Sequence, residues 1–464
     1  MTPVRNPAAV PGRLAVVLCF VFLAASLPAA APAPALWKAG VATAVITPEQ
    51  AMWMAGYASR TNVSQGRTLD LFAKVLALED ERGGRMVFVT LDLIGVPRTL
   101  RKSLEARVQK AWQLPPEGLL LNASHTHSGP EFRFGRTPAD DGDFKPSSLG
   151  DIYGRTLEDK LFKLIGTALE TRTPARLAYS FARCGVAMNR RLPTKDGYKN
   201  SPFPEGPVDQ SVPVLRVEGA DGRLRAVLFG YACHNTTLAL YQFSGDYAGY
   251  AQQYFEADHP GAVALFMLGC GGDQNPYPRG TVDLAQKHGR SLATAVEAAL
   301  ATTLKSVNGP LHSAFAEVEL DYAPVPTRDE LKARLASKDR YEVSHAKRML
   351  DRLEKGEKLP TQYPYPVQVV RFGDALTLVA LGGEVVVDFS LRLKKELAGP
   401  AVWVAGYSND VMAYIPSLRV MKEGGYEAGG AMRYSTTHPG PWAESTEERI
   451  VGKVHELNRN VNGR

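Results

Sequence analysis

The chain has few cysteines, and no long apolar run lies beyond its first thirty residues. Neither a basic block nor a Ser/Gly linker occurs, and no internal repeat. Each absence removes a class of protein. The 464 residues carry four cysteines. Setting aside Cys19, which lies in an apolar N-terminal run, leaves Cys184, Cys233 and Cys270, too few and too odd a set for a disulfide framework. These three could pack as small hydrophobes, form one disulfide, or line a site. The net charge of +6 is modest for the length, and without basic–aromatic interleaving it argues against a nucleic-acid partner. No later segment reads as transmembrane. The glycines of 269–272 lack the GxxxxGK[ST] spacing of a phosphate loop, so nucleotide binding is not indicated.

What is present is an ordinary globular composition, 45% hydrophobic and 22% charged. It is preceded by a targeting segment. Arg5 and Arg13 make a basic start, residues 14–25 an apolar core too short to span a bilayer, and Ala29-Ala30-Ala31 a small-residue cleavage region. The expectation is a signal peptide over 1–35 and an exported mature protein. Beyond it strands and helices alternate: strands at Ala39–Ile46, Leu71–Leu78, Met86–Ile94 and Leu119–Ala123, with helix Arg98–Trp112 completing a βαβ unit. A polar loop over Arg133–Gly150 precedes a helix over Ile152–Thr171. A hairpin turns at 219–222, and helices are expected over Tyr247–Ala257, Leu284–Leu300, Asp388–Leu397 and Glu444–Asn458. Thr327–Glu357 reads as a charged helical hairpin on the surface, and Tyr407–Pro439 as irregular. The fold class is therefore α/β: layered mixed β-sheets flanked by helices, in one large domain over 36–464.

Four apolar strands end in polar or glycine-rich clusters. The first delivers His125 and His127, which alternate geometry projects to one side. Two of only nine histidines placed so point to a metal or catalytic site, or else to loop histidines bonded to backbone carbonyls. His234 ends the second strand, and Gly269-Cys270-Gly271-Gly272-Asp273-Gln274-Asn275-Pro276 follows the third. Glu384 follows the fourth. Alone, His234 could be structural and Glu384 could cap the next helix. Their shared place at strand ends favours a metal site.

The ordered motifs His125-Thr126-His127-Ser128-Gly129-Pro130, Asn189-Arg190, His234, Gly272-Asp273-Gln274-Asn275-Pro276, Gly383-Glu384 and Ser408-Asn409-Asp410 leading to Tyr414 resemble the neutral/alkaline non-lysosomal ceramidase family. That family hydrolyses the amide of N-acylsphingosines and often adds a C-terminal immunoglobulin-like domain; the resemblance covers about residue 39 to the last residue, and the expectation is a catalytic domain alone. The resemblance implies one Zn²⁺ on His125, His234, Glu384 and Tyr414, with His127 beside it. It also implies a substrate-contacting Arg190 and a Tyr426 near the reacting amide. One position departs from the pattern: Asn275 stands where the family usually has serine, sometimes assigned as nucleophile. An amide cannot attack, so Asn275 is expected to orient water or a carbonyl while metal-activated water attacks. The expected activity is an amidohydrolase on a lipid partner, ceramide by default, with which peripheral contact at a membrane surface is compatible. The alternatives are a zinc esterase or amidase on another acylated substrate, or a non-catalytic surface protein that binds lipid or glycan.

Overall fold

Strands that bury both faces set the architecture. Along Arg85–Leu91, Val87 and Val89 enter one core while Met86 and Phe88 enter another, and Leu119–Ala123 divides its leucines the same way. The structure is a computed structural model, and it describes residues 1–3, 36–132, 148–397 and 399–463. Residues 1–33 are a separate unit. Nearly all of the expected targeting segment lies outside the described residues, as does most of the expected polar loop. The helix that follows that loop starts at Ser148, earlier than its apolar pattern begins.

Residues 34–464 form one unit of layered sheets and helices, as the alternation of elements predicts. A nine-stranded sheet runs in the order Val263–Leu268, Leu224–Tyr231, Ser211–Gly219, Thr173–Arg183, Trp37–Val45, Phe72–Asp80, Arg85–Leu91, Leu119–Ala123, with Lys305–Val307 added beside Thr173–Arg183. One face carries the helices Arg98–Trp112 and Ser148–Glu170 through Leu100, Leu104, Leu161 and Ile165. The helices Asp246–Asp258 and Val282–Ala301 cover its other end through Phe255 and Leu292. The opposite face packs on a four-stranded sheet of Leu311–Asp321, Gln362–Phe372, Leu376–Leu381 and Ala401–Ala405. Phe88, Leu120, Phe372, Leu378 and Trp403 share the core between the sheets. The far side of the smaller sheet is closed by the helices Val387–Glu396 and Thr446–Asn462. The βαβ unit is as expected: Arg85–Leu91 and Leu119–Ala123 pair in parallel around Arg98–Trp112.

The two edge strands of the large sheet meet through one side chain. Asn122 is fully buried, accepts from Leu268 N at 2.8 Å and donates to Leu268 O at 3.3 Å. The same amide nitrogen donates to Gly406 O and Ser408 Oγ. Strand ends distant in the sheet order are thereby drawn to one place. The charged stretch of 327–357 is two helices, Arg328–Arg334 and Arg340–Glu354, with a small core of their own around Leu331 and Met349. Tyr407–Pro439 is less irregular than its sequence suggests, holding the strand Tyr414–Ile415 and the helix Leu418–Glu423. No helix among the described residues is long and apolar enough to cross a membrane.

Candidate active site

His125 is the second residue beyond Leu119–Ala123 and takes a left-handed backbone conformation, φ 56°, which turns the chain back and points its ring inward. Its Nδ1 lies 2.6 Å from Ile94 O, so it donates there, and Nε2 is left as a bare lone pair. His234, three residues beyond Leu224–Tyr231, repeats the arrangement with Nδ1 2.6 Å from Gly271 O. Both Nε2 atoms approach one carboxylate oxygen, Glu384 Oε2, at 3.1 and 3.2 Å. His127 Nε2 lies 3.1 Å from His125 Nε2, and the three histidines present ring nitrogens within 4.8 Å of one another. Tyr414 closes the group, its hydroxyl 3.3 Å from His234 Nε2. The backbone-carbonyl reading thus holds for Nδ1 of His125 and not for the His127 ring, while His234 repeats the His125 contact and both Nε2 atoms stay available to a metal.

Burial, reinforced by the Arg190 guanidinium, pushes the His234 imidazolium down to about 4. His127 falls well below its ordinary value, from burial first and then from His125 and His234. The converging lone pairs call for a positive charge between them. Burial disfavours it as a proton on His234, whereas a divalent cation supplies it directly. Two imidazoles, a carboxylate and a phenol oxygen are a donor set that suits zinc. The residues present therefore fit the metal that the resemblance implies.

Glu384 does not cap the helix Val387–Glu396. Asp273 does so, its Oδ1 accepting from Val387 N at 2.8 Å while Oδ2 accepts from Asn189 Nδ2 at 3.1 Å. Gly272 lets that loop pass close beneath Glu384, since a Cβ there would stand 2.6 Å from Glu384 O. Arg190 is buried and spans the other predicted residues. It donates from Nε to Glu427 at 2.9 Å, from Nη1 to Asn275 Oδ1 at 3.2 Å and from Nη2 to the Tyr414 hydroxyl at 3.0 Å. Asn275 also accepts from Thr236 Oγ1 at 3.4 Å and lies within 3.4–3.5 Å of Asn200 and Tyr277. Tyr426 packs edge-on against Tyr414, ring centroids 5.3 Å apart. All eight residues expected from the sequence are thus drawn around one centre.

Sequence reasoning missed their supports. Glu427 holds Arg190 and, at 2.6 Å, Arg191; its place directly after Tyr426 was the available signal. Tyr57 packs edge-on to His127, ring centroids 4.8 Å apart, where Gly56, at φ 98°, leaves room that a Cβ would fill. Arg60 donates to His127 O at 2.8 Å and Leu240 O at 2.9 Å, and nothing in the local sequence marks it. Cys184, Cys233 and Cys270 are buried free thiols, which leaves packing as their role rather than a disulfide.

The family model described as neutral/alkaline non-lysosomal ceramidase, N-terminal, matches residues 37–282, more than half of the chain. The chain belongs to that family. Neutral ceramidase B of Dictyostelium discoideum is 25% identical over 244 residues, 48% of this chain and 33% of that protein. Neutral ceramidase of Drosophila pseudoobscura pseudoobscura is 33% identical over 103 residues, 21% of this chain and 14% of that protein. The chain thus spans a third or less of the length of these relatives. The crystal structure of neutral ceramidase from Pseudomonas aeruginosa superposes with a TM-score of 0.70 at 21% identity, covering 91% of this chain and 74% of that one. The fold is shared.

Proposed function

We propose that this protein is a zinc-dependent amidohydrolase that cleaves the amide of N-acyl lipids, ceramide first among them. The observation that carries the reading is the convergence of two backbone-fixed imidazole nitrogens on one buried carboxylate oxygen. His125, His234, Glu384 and Tyr414 would hold the ion. When bound, zinc would lower the pKa of water to roughly 7 and polarise a carbonyl that faces it. The chain's own residues supply the rest. The buried Nδ1 of His127 has no hydrogen-bond partner among the described residues, so the ring offers a free nitrogen through which a proton can pass to the departing amine. Arg190 sets Asn275 and Tyr414 at fixed distances from the centre. Tyr426 gives that space an aromatic wall.

Family membership supports a ceramide-like substrate, and Asn275 favours a second reading with the same metal and another acylated amine. Removal of 1–35 on export places the enzyme outside the cytoplasm in either case. Elemental analysis with turnover of N-acetyl- and N-hexadecanoyl-sphingosine tests the proposal. One zinc per chain, lost in His125→Ala, and release of free sphingosine are expected. Zinc retained in a His125→Ala, His234→Ala double variant overturns the metal assignment, and a zinc-loaded protein that leaves both amides intact overturns the substrate.

A further inference from the structure

An N-acyl lipid is an amphiphile, so its chain needs an apolar surface leading away from the reacting centre. A run of tyrosines begins there. Tyr414 lies beside His234 with ring planes 12° apart and centroids 6.3 Å apart. Tyr426 meets Tyr414 at 5.3 Å, Tyr434 meets Tyr426 at 6.3 Å, and Tyr341 meets Tyr434 at 4.7 Å. Exposure rises outward, from 8% at Tyr414 to 37% at Tyr434. The run starts at the metal-ligand cluster and ends at solvent.

Tyr341 also joins the two banks of this entrance. Its hydroxyl donates to Ala58 O at 3.2 Å, in the loop whose Tyr57 lies against His127, while its ring faces Tyr434. The helix that carries it, Arg340–Glu354, is braced by Leu331, Ala346, Met349 and Leu350 and by the Arg433–Asp339 ion pair at 2.6 Å. This pair of helices therefore buttresses the outer end of the tyrosines. On the inner side the Arg190 guanidinium separates them from the polar group of Asn275, Asn200 and Tyr277. Arg433 and Arg340 lie over the Tyr434 and Tyr341 rings at 5.4 and 4.6 Å, so the apolar surface offered to a chain is the remaining ring area, set apart from the polar group around Asn275.

We propose that Tyr434 and Tyr341 are specificity-determining residues for an unbranched alkyl chain, which runs outward from the reacting amide along Tyr426, Tyr434 and Tyr341. This rests on the N-acyl-lipid reading above. A two-carbon acyl group ends near Tyr426, whereas a long chain reaches the outer rings. The outer rings therefore act on the ratio of long-chain to short-chain turnover.

The test compares kcat/KM for N-hexadecanoyl- and N-acetyl-sphingosine in the wild type, Tyr434→Ala and Tyr341→Ala, with binding of decanoate and acetate measured by calorimetry on the same proteins. The long-to-short ratio should fall about tenfold in each variant, through KM, as expected for lost apolar contacts in a pocket. Decanoate should bind about tenfold more weakly in each variant, with little change for acetate. Tyr341→Phe, which keeps the ring and loses only the hydroxyl's bonds to Ala58 and Arg340, should retain most of the discrimination and guards against a folding defect in Tyr341→Ala. An unchanged ratio in Tyr434→Ala and Tyr341→Ala overturns the proposal. If the wild type hydrolyses neither amide, the functional reading fails by itself, and decanoate binding alone decides: equal affinity in wild type and variants overturns the chain route.

Discussion

Glu384 and Asn275 stand at the same centre, and substitution separates what they do. Glu384 Oε2 is the point on which both fixed imidazoles converge, so on the zinc reading proposed above Glu384→Ala should remove the anchor of the cation and abolish hydrolysis. Asn275 offers one carbonyl oxygen to Arg190 and Thr236 and an amide to its neighbours, and it has no nucleophilic atom. Asn275→Ala should lower kcat about fivefold, the worth of one net hydrogen bond of ~1 kcal/mol. Single-turnover kinetics with mass analysis of the quenched enzyme checks both. An acylated side chain, or a loss in Asn275→Ala as deep as in Glu384→Ala, would refute direct attack by water. His125, His127, His234 and Glu384 were legible as candidates because histidines and lone carboxylates at strand ends are few, whereas the proposed ligand set, Tyr414 included, was implied by the family resemblance. Asp273 was legible as part of a motif and not as a helix cap, because capping is read from local sequence and its partner, Val387, is 114 residues away.

At the scale of elements, Asn122 substitutes for a missing ladder. Its side-chain amide pairs with Leu268 as one backbone pairs with another, and it satisfies Gly406 and Ser408 as well. Asn122→Ala leaves Leu268 N buried without its acceptor and should cost about 3 kcal/mol, the range for a broken buried polar network. Denaturant unfolding at fixed zinc measures it; a loss under about 1 kcal/mol would mean that the strand edges hold together without this bridge. Strands whose two faces are both apolar, such as Leu119–Ala123 and Val263–Leu268, were evident from composition alone, as was the helix Arg98–Trp112 to its last residue. Thr173–Arg183, Gly197–Phe203 and Leu311–Asp321 were not. Each exposes much of its length, and Gly197–Phe203 has few apolar residues with which to show alternation. Their strands are set by neighbours across the sheet.

For the whole molecule, the proposed metal ligands come from distant parts of the chain and from both sides of the central core. His125 and His234 follow strands of the large sheet, and Glu384 follows one of the smaller sheet. A cation bound there ties the two layers together and is absent from the unfolded chain, so binding adds to global stability. Chelation should lower the unfolding free energy by roughly 4 kcal/mol relative to free zinc at about 1,000 times Kd. Calorimetry with and without chelator, followed by zinc add-back, reads this as a reversible fall in Tm. An unchanged Tm alongside full loss of zinc would place the ion outside the folding unit.

The Nδ1 contacts of His125 and His234 have a bearing on how this site tolerates change. Their partners are main-chain oxygens of Ile94 and Gly271, present whatever side chain occupies those positions. No exchange at residue 94 deletes its acceptor, and none at residue 271 does so except by displacing the loop, where a Cβ would stand 2.9 Å from Cys233 N. The tautomer of each of these histidines is thus encoded in chain path rather than in residue identity. A descendant of this protein can drift widely around the two histidines and still present the same pair of lone pairs, so long as the two strand ends keep their distance.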